Sequence, residues 1–595
     1  MTRTIRDVLS GTDDEQPWQP QLDKVVTCLA DDGPIVVWIH GPVGAGKTSL
    51  LAAFGSLAAD RGASVISIDC RTVEPTEAGL LQELSEVLGQ SLDSVSSAAS
   101  AVSALADRAI LAFDNYEVFR LADAWLRREF IPQLSASARV LMVSAEPPAA
   151  GWISAAEWRR HFLPVSLAVA ADLDPPAQTR RYLADISNPD TRRAIEAASV
   201  IRRITQPMLG ALCPGQDADT LFEEIADQPF VETRRDGLAM LDVIHREVAE
   251  RLNAADPERY RGYQRVAWKQ LREQLRNSAP ADLWRTTADV IYLIENPVIR
   301  EAFFPSKSAQ VSVETAMPGD QAAMLDITSR HEPDAVDIMA LWWKHLPGAF
   351  HIVRDTAGDV VGFYCIALPT ELRSEWMAFD PVARQWQRHL EQSGKSNLAP
   401  SLFLRRWLSR EAGEAPSPEQ AAAWIDVKRT YLELRPALRR VYLALRDIGP
   451  YGPVATQLGF AVLDDCSTDL GDLHYHTAML DFGPGSVDGW IVNLVAAELG
   501  IAEDQLLDKA ARELVVNGSR VSLTPLEFGV VSMLESRPGE AVSRTELLKS
   551  VWGHDYDGGS NVVDAVVRGL RRKCGEHADI LETVRGVGYR LRAQG

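Results

Sequence analysis

"PIVVWIHGPVGAGKTSLLAAF", residues 34–54, joins an apolar run to a glycine loop and then to a stretch rich in alanine and leucine. Within it "GPVGAGKTS" fits G-x-x-x-x-G-K-[ST] at Gly41, Gly46, Lys47 and Thr48. The run "IVVWIH" predicts a strand and "TSLLAAFGSLAA" a helix, the order in which such a loop cradles phosphate. Glycines at 41, 44 and 46 let successive backbone N–H groups turn toward a phosphate, and the helix N-terminus adds positive potential. Lys47 then reaches the terminal phosphates, the Thr48 hydroxyl ligates Mg²⁺, and Ser49 belongs to the same binding set.

A metal-holding acid is expected where a neighbouring buried strand ends. "ILAFDNYE" supplies Asp114, with Thr48 as the second Mg²⁺ ligand and Glu117 close enough to be the candidate for polarising water. The next strand, "ARVLMVSAEPP", places Ser144 where the terminal phosphate is sensed, and no arginine follows it. Slow hydrolysis is therefore expected, which suits a switch better than a motor.

Outward from this loop the chain changes pattern three times. Residues 15–170 alternate β-rich runs ("ASVISIDC", "RAILAFDN", "ARVLMVSAE") with helical stretches, as a parallel α/β sheet does. Residues 171–305 are helical by their i/i+3/i+4 apolar spacing. Residues 310–490 return to mixed α and β, with strands expected at "AFHIVRD", "VVGFYCIAL" and "RRVYLALRD". A small domain of short strands and helices fills 505–595. "FFPSKSAQ" and "LDFGPGSVDG" carry the turn content of boundaries.

The first 300 residues resemble the STAND ATPases of the AAA+ lineage. That resemblance implies a P-loop ATPase core under a helical and winged-helix lid, with ATP or ADP and Mg²⁺ as cofactors and a homo-oligomer formed on ATP binding. In "MLDVIHREVAERL" it implies that His245 monitors the nucleotide phosphates. "DLDPPAQTRRYL" and "ITQPMLGAL" are similar to stretches that follow such a core, whereas no arginine-containing motif precedes Trp18.

Residues 311–490 resemble a GNAT acyltransferase fold through "VETAMPGDQAAMLDITSRHE", "FHIVRDTAGDVVGFYCIAL" and "YGPVATQLGF". The family's cofactor loop, [RQ]-x-x-G-x-[GA], is matched by "REAGEA" at Arg410, Gly413 and Ala415, which implies backbone amides holding the pyrophosphate of an acyl-CoA. Tyr451 is the nearest candidate for a base. A degenerate GNAT-like sensor or scaffold that binds another effector, or nothing, stays open beside acyl-CoA binding.

The last block resembles an OmpR/PhoB-type winged helix-turn-helix over nearly its whole length. "LTPLEF", "PGEAVSRTELLKSVWG", "NVVDAVVRGLRRK" and "TVRGVGYRL" carry the resemblance in order and spacing. Capping chemistry starts one helix at "SLTPLEF" and another after Ser543. The resemblance implies a recognition helix at 560–574 and a wing centred on Arg585–Tyr589. Val562, Val566, Leu570 and, less regularly, Val563 and Val567 are expected to face inward, with Arg568, Arg571, Arg572 and Lys573 on or beside the exposed side and Arg585, Tyr589 and Arg590 at the wing, all toward double-stranded DNA. From 505 onward Lys and Arg number 13 against 12 Asp and Glu, so positive charge must be concentrated on one face.

At 595 residues the chain exceeds one core, and a net charge of −21 disfavours indiscriminate nucleic-acid binding. Six scattered cysteines without metal spacing, and no apolar run of membrane length, lead to the expectation of a cytoplasmic protein. The expected fold class is multidomain α/β and α+β. The expected function is an ATP-dependent, ligand-switched transcription regulator. An N-acyltransferase regulated by its flanking domains, or a DNA-sensing defence protein, are the alternatives.

Overall fold

Apolar runs between positions 34 and 168 form a parallel sheet because each is followed by a helix that returns the chain to the same edge. The computed structural model describes residues 18–42, 44–154, 157–168, 175–279, 282–296, 311–373, 375, 379–392, 400–483, 485–501, 507–508, 513–516, 519–535, 537, 541–553 and 561–591. They fall into two compact units that meet between Asp481 and Phe482, inside "LDFGPGSVDG". The expected boundary "FFPSKSAQ" and the glycine-rich "DYDGG" lie outside the described residues. Among the described residues no helix is long and apolar enough to cross a membrane, and all six cysteines are free and buried.

The first unit opens with β1 (Val36–His40), β2 (Ser64–Asp69), β3 (Ala109–Asp114), β4 (Arg139–Ser144) and β5 (Phe162–Ser166), in the order β2-β3-β4-β1-β5. Every pair is parallel. Alternation along β1 sends Val36 and Trp38 into one core and Val37 and Ile39 into the other, so helices cover both faces. Inserting β4 between β1 and β3 sets Ser144 between the glycine loop and Asp114, while Asp69 is in register beside Asp114.

Helices and one hairpin follow, β6 (Val231–Arg234) and β7 (Gly237–Met240), then the helices Asp242–Ala255, Pro257–Asn277 and Leu283–Tyr292. This lid is tied to the core by ion pairs. Arg235 and Arg285 both pair with Glu83 and Glu86 of the core helix Glu77–Leu88.

The mixed sheet contains β8 (Ser312–Thr315), β9 (Phe350–Arg354), β10 (Val360–Ala367), β11 (Ser401–Ser409), β12 (Arg440–Leu445), β13 (Ala461–Val462), β14 (Thr468–Leu470) and β15 (Leu473–Asp481). Its order is β13-β15-β12-β11-β10-β9-β8, with β14 on β15. Only β11 and β12 run parallel, and their pairing stops at Leu404 and Leu443 although both strands continue. The sheet docks on the parallel-sheet core through Glu314, 3% exposed, which pairs with Arg127 and Arg128 of the core and with Arg354 of β9. Arg435, after the helix Pro418–Glu433, grips Glu74 of the core at 2.7 Å.

The second unit carries two three-stranded sheets, β16 (Leu507–Asp508), β17 (Glu513–Val516) and β18 (Ser519–Ser522), then β19 (Val542–Ser543), β20 (Leu581–Val584) and β21 (Gly588–Leu591). Between them lie the helices Pro525–Glu535, Arg544–Trp552 and Asn561–Cys574. The two predicted caps are formed. The Glu527 carboxylate accepts from the Thr524 amide, and Ser543 and Glu546 form a reciprocal capping box. Gly588 allows β19 to approach β21, because a Cβ there would lie 2.0 Å from the Val542 carbonyl oxygen. Gly588→Ala is expected to cost about 1–3 kcal/mol through this overlap. Hydrogen exchange at 542–543 and 588–591 is expected to rise while exchange in the first unit stays unchanged.

Candidate nucleotide and nucleic-acid sites

The glycine loop leaves β1 and ends at Gly46, which caps the helix Lys47–Asp60 without any side-chain cap. Gly44 and Gly46 have φ of +88° and +81°, and a Cβ at Gly41 would lie 2.5 Å from the Leu167 carbonyl oxygen. Larger residues are therefore strained or blocked at these points. Lys47 Nζ donates to the Gly41 and Pro42 carbonyls, and the Thr48 hydroxyl donates to Asp114 at 3.2 Å. Burial pulls the Lys47 ammonium down in pKa, against the pull of Glu117, Asp114 and Asp242, and burial with nearby Asp69 pushes Asp114 up. Both charges are held where an opposite charge would favour them. A glycine cradle, a lysine, a hydroxyl and a carboxylate are the donor set that fits a nucleoside phosphate with Mg²⁺.

Ser144 is buried, and its carbonyl accepts from the Gly41 amide while its hydroxyl accepts from the Glu146 amide. The Glu117 carboxylate accepts from the Ala145 amide at 2.9 Å, so it braces the end of β4. Ser49 lines the cleft with Thr48 and Asp114.

That cleft, of about 630 Å³, lies between the core and the lid and contains groups that sequence reasoning does not single out. Asp69 accepts from Arg71, from Arg234 at 2.8 Å and from Asn115 at 3.0 Å. Burial raises the Asp69 pKa, but Arg71 and Arg234 outweigh it and hold the carboxyl below its ordinary range. Arg71 also reaches Asp242 of the lid. The one signal for this cluster in the sequence is a second acid closing an apolar strand, "ASVISIDC", beside a strand end where Ser144 leads into "AEPP" rather than an arginine.

His245 departs from expectation. The helix Asp242–Ala255 turns Leu241 and Asp242 toward the cleft, and His245, one turn later, faces its own subdomain. There its Nδ1 meets the Tyr292 hydroxyl at 2.8 Å, and burial lowers its pKa.

The loop at Arg410, Gly413 and Ala415 departs further. Its amides at Arg410, Ala412, Gly413 and Ala415 already donate to Val361 O, the Ser409 hydroxyl, Ser409 O and Ala412 O. The gap where β11 and β12 part is filled as well. Buried Arg406 occupies it, pairing with Glu332 and Glu414 and donating to Ala444 O. The Glu414 carboxylate takes the Arg446 and Asp447 amides at 3.0 Å. The Tyr451 hydroxyl donates to Glu414 O. A pyrophosphate needs free amides, so this loop does not fit the expected acyl-CoA.

In the second unit the helix Asn561–Cys574 buries Val563, Val567, Leu570 and Cys574. Of the five residues expected inside, Val563, Val567 and Leu570 are buried while Val562 and Val566 are half-buried, the buried row continuing to Cys574. The outward stripe is Asn561, Ala565, Arg568 and Arg572, at spacings that share one face. Position 560 lies outside the described residues.

Three groups expected at DNA also make contacts within the domain. Arg571 donates to Leu581 O and the Thr583 hydroxyl. Lys573 pairs with Glu527 at 2.6 Å. Tyr589 is buried, with its hydroxyl donating to Asp564 and Arg544 over its ring. Arg585 is exposed at the wing tip beside Val587, and Arg590 is exposed and pairs with Glu582.

Two sheets flanking three helices, with a basic helix exposed beside a hairpin, define a winged helix-turn-helix of OmpR/PhoB type at this end of the chain. Residues 518–591 match the family described as "Transcriptional regulatory protein, C terminal". The region is 45% identical over 89 residues to the transcriptional regulatory protein AfsQ1 of Streptomyces coelicolor, covering 14% of this chain and 40% of that one. It is 40% identical over 90 residues to the transcriptional regulatory protein TrcR of Mycobacterium tuberculosis, covering 15% and 35%. The crystal structure of the DNA-binding domain of Bacillus subtilis CssR is 42% identical, covering 14% of this chain and 96% of that one, with a TM-score of 0.13. The chain thus spans about two fifths of the curated relatives it matches.

Proposed function

We propose that this chain is a sequence-specific DNA-binding transcription regulator whose DNA affinity is set by ATP or ADP in the first unit. The observation that carries the reading is the stripe Asn561, Ala565, Arg568 and Arg572 on a helix of major-groove width, beside a wing bearing Arg585. The nucleotide half rests on the cradle at Gly41–Ser49 with Asp114. Lys47 and the loop amides would hold the phosphates. Thr48 and Asp114 would hold Mg²⁺, which supplies charge neutralisation when bound.

ATP favours an oligomer that presents paired winged helices to repeated half-sites, which raises the effective concentration of a weakly binding single domain. The mixed-sheet domain, with its strand gap filled by its own side chains, serves as scaffold or as the sensor of an effector other than acyl-CoA. Excess negative charge on the whole chain keeps nonspecific binding weak.

The test is a genome-wide binding map of the wild-type chain and of Lys47→Ala, with oligomer size measured in ATP and ADP. Discrete promoter sites lost or redistributed in Lys47→Ala are the expected result. Nucleotide that alters neither oligomer size nor DNA affinity would refute the switch while leaving the winged helix as a DNA reader.

A further inference from the structure

An arginine is missing from the strand end where a terminal phosphate would be sensed, since Ser144 is followed there by Ala145, Glu146, Pro147 and Pro148. The fold brings two others to the same cleft. Arg71 follows β2, and Arg234 closes β6 on the lid. The two are bound differently. Arg71 is held at both ends, by Asp69 through three donors and by Asp242 through Nη1, and its own carbonyl accepts from Arg202. Arg234 makes one contact to Asp69 at 2.8 Å and one to its hairpin neighbour Glu232 at 3.1 Å, with about a quarter of its side chain exposed.

From this asymmetry we infer that Arg234 is the residue that distinguishes a nucleoside triphosphate from a diphosphate, and that Asp69 is where it is parked otherwise. The inference rests on the nucleotide reading of the cleft. If Arg234 leaves, Asp69 keeps Arg71 and Asn115, so no buried charge is stranded. If the Arg71 side chain left, its ion pair with Asp242 would break and Asp69 would lose two donors at once. A guanidinium is suited to a phosphate because its planar fork meets two oxygens at once. Because Arg234 rides on the lid hairpin, its choice between Asp69 and a third phosphate also shifts the lid. That links the nucleotide state to the position of the helix Leu283–Tyr292, which is held to the core through Arg285.

The experiment measures the dissociation constants of Mg-ATP and Mg-ADP for the full chain as wild type, Arg234→Ala, Arg234→Lys and Lys47→Ala. Hydrogen exchange of residues 231–240 is followed without nucleotide and with each one. Arg234→Ala is expected to weaken ATP at least about fivefold and leave ADP within twofold, about the noise of such a comparison, with Arg234→Lys intermediate. In the wild type, ATP and ADP are expected to give different protection of 231–240, and this difference vanishes in Arg234→Ala. Lys47→Ala weakens both nucleotides. An unchanged ATP-to-ADP ratio in Arg234→Ala, with the wild type binding both, overturns the role of Arg234 alone. A wild type that binds neither overturns it together with the nucleotide reading.

Discussion

Glu332→Ala is expected to be the most damaging single change in the first unit, costing about 3–5 kcal/mol. Glu332 is 1% exposed and accepts from Arg406 and from the Tyr475 hydroxyl at 2.7 Å. Removing it leaves the buried Arg406 guanidinium with Glu414 and one carbonyl, and leaves the Tyr475 hydroxyl without its acceptor. Each loss costs more than the intact pair contributes, because water cannot replace the partner. Burial raises the Glu332 pKa, but Arg406 and Tyr475 outweigh it, so the carboxyl lies below the ordinary glutamate range. A depressed folded pKa contributes stability above the unfolded value, and that contribution is lost as pH falls through the folded one. Urea unfolding of wild type and Glu332→Gln at neutral and acidic pH checks this. The gap between them is expected to narrow as pH falls. A Glu332→Ala midpoint equal to wild type would show that the cluster contributes nothing.

That same cluster explains the strand the sequence hid. "SLFLRRWLS" has two adjacent arginines at its centre, and a central strand is expected to be apolar. Arg405 and Arg406 are both fully buried, the first against Asp380 and the second against Glu332 and Glu414. Those acids come from distant segments, so no local pattern announces them. A register shift in the β10–β11 ladder beside Cys365 and Ile366 brings both guanidinium groups near the Tyr475 ring.

Where chemistry is local, the sequence is a better guide. The glycine loop, Thr48 and Asp114 can be placed because loop geometry and strand ends are written in consecutive residues. The Ser543 cap is legible for the same reason. Asp69, Arg71 and Arg234 are not, since their meeting depends on β2 lying beside β3 and on the lid closing over both. The facing of Asn561–Cys574 reverses the expected weighting, burying Val563 and Val567, the less regular of the inward set, and leaving Val562 and Val566 half-buried. The four valines within 561–567 fit two adjacent helix faces almost equally, and the buried Cys574 decides between them.

The DNA face turns this distinction into an expected result. Arg568→Ala with Arg572→Ala is expected to abolish specific binding at physiological salt, each side chain being worth about 1–3 kcal/mol if it meets a base edge. Any phosphate contact among them lowers the slope of log affinity against log salt by about one. Arg571→Ala should behave differently although it is the same substitution three residues beyond Arg568. Arg571 donates to Leu581 O and the Thr583 hydroxyl at the base of the wing, and lies over Tyr589. Its loss is expected to lower the stability of the second unit and to loosen the wing, weakening DNA affinity with little change in salt slope. Lys573→Ala, which removes the partner of Glu527, belongs with Arg571. Affinity for one promoter fragment, measured across a salt series for the wild type and these variants beside their unfolding midpoints, separates the two groups. If Arg571→Ala lowers the salt slope as much as the double variant and leaves the midpoint unchanged, then Arg571 faces DNA rather than the wing. In that case the assignment of the outward stripe is wrong.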